Sequence, residues 1–233
     1  MPFLSIVIPA YNEKENLVKL LPILIKKYPS SSIIIVDDAS PDQTASFIRT
    51  YARKNPRVTL IERSGKLGRG SAVLAGFKKA LNLDRSNYIL EMDADFSHDS
   101  QDLQRLINHA SSKTVVIGSR YIKGSRIVNW PMLRKVLSRL ANLYTRIILG
   151  IPIHDYTNGL RLYPKAAVEE ILSHPMKESG YAALSESAYL LFRKGYVFKE
   201  VPTTFVARKI GKSKTDLPEY FRSLLAILKI RFS

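Results

Sequence analysis

The chain has 233 residues, 45% hydrophobic and 24% charged, with no cysteine. This is the balance of an ordinary globular protein with one full core, and it excludes disulfides and thiolate metal sites. The formal net charge of +16 is unevenly spread: residues 1–119 carry 16 Lys and Arg against 12 Asp and Glu, and residues 120–233 carry 20 against 8. Such an excess in the second half implies an anionic partner, whether nucleic acid, an anionic membrane surface or a phosphorylated substrate.

Met1-Pro2-Phe3-Leu4-Ser5 runs straight into a strand pattern, so no signal peptide is expected. Apolar runs are too short, or too broken by Lys and Arg, to span a bilayer. Leu4–Ile8 reads as a strand, and Glu13–Lys27 as a helix with Leu17, Leu20, Leu21, Leu24 and Ile25 on one face and a kink allowed at Pro22. Ser32–Val36 is an unbroken apolar run, as in a parallel strand covered on both sides. Pro41 is expected to open a helix to Lys54, with Val58–Ile61 a third strand. A Gly-rich turn leads to a helix over 71–81, then a strand over 88–92, a helix over 102–110 and a strand over 114–117. This alternation predicts a parallel α/β sheet whose ligands gather beyond the carboxyl ends of the strands.

The second half is less regular. Leu133–Leu149 reads as a basic helix, followed by a turn at Asp155–Gly159, helices near 165–172 and 183–194, and a strand pair around 197–206. Leu217–Phe232 is amphipathic, with Leu217, Phe221, Leu224, Leu225, Leu228 and Phe232 near helical spacing. The economical division is a single unit over 1–233, with parts over 1–118, 119–216 and 217–233, the last of them an amphipathic segment that fits a lipid surface.

Asp93-Ala94-Asp95 follows the strand at Tyr88–Met92. Two carboxylates one residue apart at a strand end repel each other unless a cation sits beside them, and hard oxygen ligands suit Mg²⁺ or Mn²⁺ shared with substrate phosphates. Pro9-Ala10-Tyr11-Asn12-Glu13 and Val36-Asp37-Asp38-Ala39-Ser40 stand at two other strand ends. There Tyr11 offers a flat face to a base and a carboxylate can accept from a ribose or base, although helix capping by Asn12, Asp37 or Ser40 would explain the same residues. Gly65-Lys66-Leu67-Gly68-Arg69-Gly70 resembles a phosphate cradle but lacks the ending of an NTPase loop. Arg120, Arg134, Arg208, Lys212 and Lys214 are candidates to clamp phosphoryl oxygens. The four histidines form no zinc pattern, and Trp130 reads as core or interface rather than as a stacking platform.

In this order the motifs resemble a family-2 glycosyltransferase of the GT-A (Rossmann-like) fold. Gly118-Ser119-Arg120-Tyr121, Trp130 with Arg134 and Ser138, Asp155–Arg161, Gly180-Tyr181 with Glu186, Glu200-Val201-Pro202, and Phe205–Arg208 with Gly211–Lys214 are similar to dolichyl-phosphate mannose synthases. The resemblance implies a nucleoside held by Pro9, Tyr11, Glu13, Val36 and Asp38. It implies a nucleotide-sugar met by Asp93, Ala94 and Asp95, with Mg²⁺ or Mn²⁺ on Asp95, Asp93 and Ser97. It further implies a diphosphate or transferred group contacted by Arg120, Arg208 and Lys214, with Asp95, Arg120 and Arg208 as the catalytic set, and an acceptor phosphate near Arg120, Arg134 and Ser138. The chain departs from that pattern at Ser97, where some relatives place Gln, at Asn158 and Leu160 in place of Ser and Phe, and at Ala183-Leu184 in place of Phe-Gln.

The implied reaction is inverting transfer of a hexose, mannose from GDP-mannose, to a dolichyl or polyprenyl phosphate. The implied setting is the cytoplasmic side of a plasma membrane or endoplasmic reticulum, where the protein is peripheral, alone or with a membrane-anchoring partner. The rivals are a UDP-sugar donor, a nucleotidyltransferase that makes sugar nucleotides, and a basic nucleic-acid-binding module. The last predicts aromatic–basic interleaving or a helix-turn-helix, neither of which is present, so nucleic acid is not an expected partner.

Overall fold

The computed structural model describes residues 3–83, 86–178, 180–207 and 217–232. In chain order the elements are β1 (Leu4–Ala10), α1 (Lys14–Lys27), β2 (Ser32–Asp37), α2 (Thr44–Lys54), β3 (Val58–Glu62), α3 (Arg69–Leu81), β4 (Tyr88–Glu91), α4 (Ser100–Ile107), β5 (Thr114–Ser119) and β6 (Arg126–Val128). They continue with α5 (Met132–Leu149), β7 (Arg161–Pro164), α6 (Lys165–Ser173), α7 (Gly180–Arg193), β8 (Val197–Pro202), β9 (Thr204–Val206) and α8 (Leu217–Phe232). Seven strands form one sheet in the order β3-β2-β1-β4-β7-β5-β8, while β6 and β9 pair in a small second sheet. The expected α/β architecture, a mostly parallel sheet flanked by helices, is present.

Alternation along the strands fills two cores. Val7, Ile34, Val36, Ile89 and Ile117 face one side with residues of α3, α6, α7 and α8. Ile6, Ile8, Ile33, Ile35, Leu90 and Val116 face the other with residues of α1 and α4. Burial on both faces is what makes Ser32–Val36 a continuous apolar run rather than an alternating one. Helix α3 lies so close to β1 that a Cβ on Gly76 would collide with the Val7 side chain.

Strand β7 was not expected, and it shapes the site. It runs antiparallel between β4 and β5, with Arg161 opposite both Glu91 and Ile117. Parallel strands deliver their carboxyl ends to one rim of the sheet, and an inserted antiparallel strand delivers its amino end there. The loop 155–160 therefore joins the rim formed by the ends of β1, β2, β4 and β5. The sequence signal was weak because β7 is four residues long and buried throughout, so it shows no alternation.

Two other expectations are corrected. The helix assigned from Pro41 starts at Thr44, after Gln43 in the left-handed region (φ 66°). Asp42 Oδ1 accepts from the Thr44 backbone N–H and hydroxyl while Oδ2 accepts from Lys14 N–H, which draws residues 41–43 into a brace. The strands around 197–206 do not pair with each other. β8 pairs parallel to β5 and β9 parallel to β6, because the chain crosses sheets at Thr203, whose N–H and hydroxyl both donate to Ser119 C=O. Helix α1 continues through Pro22.

Helix α8 packs Ala226, Ile227 and Ile230 inward, and the Tyr144 hydroxyl of α5 donates to Leu224 C=O. Among the described residues no helix is long and apolar enough to cross a membrane.

Candidate active site

The rim begins where β1 turns into α1. Pro9 lies opposite Val36 in the sheet, and the Val36 side chain is fully buried, so only its backbone is open to a ligand. Asn12 has φ 60° and does not cap α1; the residue in that position is Glu13, with no side-chain cap. Instead three successive amides are taken by the next strand's loop: Asn12 N–H donates to Ser40 Oγ (2.9 Å), Glu13 N–H to Thr44 Oγ1 (3.2 Å) and Lys14 N–H to Asp42 Oδ2 (3.1 Å). Asp37 holds Ser40 in turn through its amide and hydroxyl. These are the orphan donors of a helix start, and their partners lie about thirty residues away in sequence, out of reach of local pattern reading. Glu13 Oε2 accepts from Asn16 Nδ2 (2.6 Å).

Asp38 and the Gly-rich turn meet. Asp38 Oδ2 accepts from Gly68 N–H at 2.8 Å, and Arg63 Nη1 stands 2.8 Å from Oδ1. Lys66 lies over the Tyr11 ring at 4.6 Å from its centroid. The turn at 65–70, weak as a motif, is therefore a wall of the site.

Arg69, which sequence reading passed over, joins that turn to the aspartates. Its Nη1 donates to Glu91 Oε1 at 2.6 Å, its Nε to Asp93 Oδ1 at 3.0 Å, and its Nη2 lies 2.9 Å from the same Asp93 oxygen. Burial works against the guanidinium charge, but Asp93 and Glu91 together raise its pKa. The mutual repulsion expected of the Asp93–Asp95 pair is thus already relieved at Asp93 by a built-in cation. A Cβ on Gly159 would collide with Arg69 Nη2, so this position admits only glycine without moving the arginine. Arg69, Glu91, Tyr163, Ala183, Leu184 and Ser187 are among the residues lining a cavity of about 30 Å³. The departure at 183–184 therefore lies beside the acidic rim.

Asp95 and Ala94 are buried, and Asp95 Oδ1 accepts from Ser97 N–H at 3.1 Å. Ser97 Oγ and both ring nitrogens of His98 are buried without a hydrogen-bond partner, an unusual cluster, since buried polar atoms are nearly always paired. Burial pushes the His98 imidazole pKa down, against the pull of Asp93 and Asp95 nearby. Among the described residues no three His, Cys, Asp or Glu side chains converge to hold a metal by themselves. A carboxylate beside an unpaired hydroxyl fits a Mg²⁺-type ion that takes the rest of its shell from water and phosphate oxygens. Asp95 and Ser97 suit that ion; Asp93 shares its charge with Arg69.

Across the rim Arg120 is held in a fork. Nε and Nη2 donate to Asp155 Oδ2 and Oδ1 at 2.8 and 2.7 Å, and Nη2 also donates to Thr157 Oγ1 at 2.5 Å. Its guanidinium lies within 5.4 Å of the ring centroids of Tyr121, Trp130 and Phe205. Burial would raise the Asp155 pKa, but the Arg120 charge outweighs it and keeps the carboxyl below the usual range. Arg134 sits 4.2 Å from the Trp130 centroid, so Trp130 is buried, as expected, and also serves as the surface on which two arginines rest. Ser138 is buried with its Oγ 2.6 Å from the Tyr121 hydroxyl. Arg120, Arg134 and Ser138 are thus linked through Tyr121 and Trp130. Arg208, Lys212 and Lys214 lie outside the described residues.

The family model for glycosyl transferase family 2 matches residues 5–172. The chain is 39% identical over 211 residues to the polyprenol monophosphomannose synthase of Mycolicibacterium smegmatis, covering 90% of this chain and 79% of that protein. It is 39% identical over 208 residues to the undecaprenyl-phosphate mannosyltransferase of Micrococcus luteus, covering 89% and 85%. Among solved structures it resembles glucosyl-3-phosphoglycerate synthase from Mycobacterium tuberculosis in complex with phosphoglyceric acid (TM-score 0.67, 14% identity, 99% of this chain and 80% of that one). It also resembles a mannosyltransferase from Pyrobaculum calidifontis in complex with GDP-Man and Mn²⁺ (TM-score 0.60, 17% identity, 97% and 69%). At those identities the structural likeness establishes the GT-A fold alone.

Proposed function

The chain belongs to glycosyl transferase family 2, and from that premise we propose that this glycosyltransferase moves mannose from GDP-mannose to the phosphate of a polyprenyl or dolichyl phosphate, with inversion. The observation that carries the reading is the 39% identity, over most of both chains, with two proteins named for mannosyl transfer to polyprenyl phosphates. The site is compatible with it. The rim of β1 and β2, with Pro9, Tyr11, Glu13, Val36 and Asp38, suits a nucleoside; the end of β4 suits a diphosphate; and the cationic cluster of Arg120, Arg134 and Ser138 suits a second phosphate. We read the whole chain as one catalytic unit.

The acceptor needs no base. A phosphate monoester has a second pKa near 6, so at neutral pH one of its oxygens is already an anionic nucleophile. That oxygen bonds to the sugar's anomeric carbon from the face opposite the departing diphosphate, whose oxygen keeps the electron pair of the broken bond. Asp95 and Ser97, with Asp93, would hold a divalent ion, and that ion would supply neutralisation of charge on the leaving diphosphate. The chain's own work is to orient the two anions and hold them together against their repulsion. Asp155 contributes by fixing Arg120, and Arg69 by fixing Asp93. On this reading Arg208 and Lys214 also contact the diphosphate or the sugar.

A transfer assay with radiolabelled GDP-mannose, GDP-glucose, UDP-glucose and UDP-N-acetylglucosamine against a polyprenyl phosphate tests the reading. Product from GDP-mannose alone is expected; product from a UDP-sugar alone would move the donor assignment, and product from none would overturn the reading. Asp95→Ala is expected to abolish turnover and to lose Mn²⁺ binding measured by electron paramagnetic resonance. Near-normal turnover in that variant would remove Asp95 from the metal site.

A further inference from the structure

The basic turn between β3 and α3 is fixed at both ends and open at its tip. At one end Arg63 pairs with Asp38 and donates to Gly68 C=O and Ser71 Oγ. At the other end Arg69 pairs with Glu91 and Asp93. Both arginines therefore have their charge answered by carboxylates. Lys66, between them, is exposed, as is Leu67 beside it. It forms no ion pair among the described residues. Its ammonium rests instead over the ring of Tyr11, 4.6 Å from the centroid.

On the reading proposed above, on which this inference rests, Tyr11 offers its ring to the base of a nucleoside diphosphate. A base stacked on the ring, with an ammonium over the base, needs about 7 Å, two contact layers of about 3.5 Å each. At 4.6 Å the ammonium leaves no room for the base. The two compete for one face. An exposed cation–π contact is weak, and a phosphate oxygen makes a stronger partner for an ammonium. The turn also runs the right way. Gly68 joins it to Asp38 at the nucleoside end of the rim, and Arg69 joins it to Asp93 at the diphosphate end. We propose that Lys66 is a displaceable cover of the base-stacking face. It rests on Tyr11 in the free chain and, once a base takes its place, contacts the phosphates of that same nucleotide. A bare nucleoside must displace Lys66 and gives it no new partner, whereas a nucleoside diphosphate does. The device thus discriminates by phosphate count at the very residue that receives the base.

Calorimetry on the full chain with Mg²⁺ tests this, using guanosine, GMP and GDP in one series and uridine, UMP and UDP in another. Two series keep the result independent of which base the site prefers. In Lys66→Met the preferred diphosphate should bind about tenfold more weakly. The matching nucleoside should bind about threefold more tightly, because the cover is gone. Lys66→Arg keeps both contacts and should restore the wild-type order. Thermal unfolding of the ligand-free variants should stay at the wild-type temperature, since the side chain is exposed. A nucleoside that weakens in parallel with its diphosphate would assign Lys66 to reading the base and overturn the proposal. So would an unchanged affinity for either ligand in Lys66→Met. A wild-type chain that binds neither GDP nor UDP would overturn the proposed function together with this device. A wild-type chain that binds one of them, with Lys66→Met indistinguishable from it, would remove the device alone.

Discussion

Glu91 is 1% exposed and Asp93 stands two residues on, and both pair with the guanidinium of Arg69. Breaking a buried pair from one side leaves an uncompensated charge, at a cost of about 3 kcal/mol. Arg69→Met is therefore expected to lower unfolding free energy by about that amount, and Arg69→Met/Glu91→Gln to recover much of it, because the second change removes the stranded charge. Denaturant titration of the two variants checks this; equal losses in both would mean that Glu91 is not the partner that matters. The Tyr163 hydroxyl, 3.3 Å from Glu91 Oε2, is too long a contact to substitute for the arginine.

At the scale of elements, the loop before β7 and the end of β5 are one electrostatic unit. Asp155 accepts from Arg120 through both backbone and side chain, and also from the backbone of Thr157 and Asn158. Glu200 of β8 holds the loop from outside through His154 and Asp155 amides. The Asp155 pKa is lower in the folded chain than in the unfolded one, so its stabilisation is complete above the unfolded value and is lost as pH falls through the folded value. The chain should therefore lose stability on acidification below about pH 4. Asp155→Asn should be less stable at pH 7 and should lose part of that acid dependence, as measured by denaturant titration from neutral to acid pH. An unchanged acid slope would place the titrating group elsewhere.

For the whole molecule, the parallel sheet was legible because its strands are apolar runs separated by helices of clear period, and the rim residues were legible because they follow those strands at once. Tyr11, Asp38 and Asp95 lie at the rim because each follows closely on a strand end. Arg69 did not declare itself: between two glycines it looks like a solvated turn, and only the closeness of Glu91, Asp93 and Gly159 makes it a clamp. Arg120 stands out in the sequence, but its fork on Asp155 depends on β7, whose four buried residues carry no period.

Strand β7 has one more consequence. The chain leaves the sheet at Ser119 on β5 and re-enters at Arg161 on β7, its immediate neighbour. The excursion between, with Arg120, Trp130, α5 and Asp155, is thus a cassette whose two ends are anchored side by side. Swapping residues 121–154 for the same stretch of a relative, which leaves Arg120 and Gly159 in place, should alter the choice of prenyl chain while leaving nucleotide affinity, measured by calorimetry, where it was. That outcome would make the choice of acceptor separable along the chain from the choice of donor.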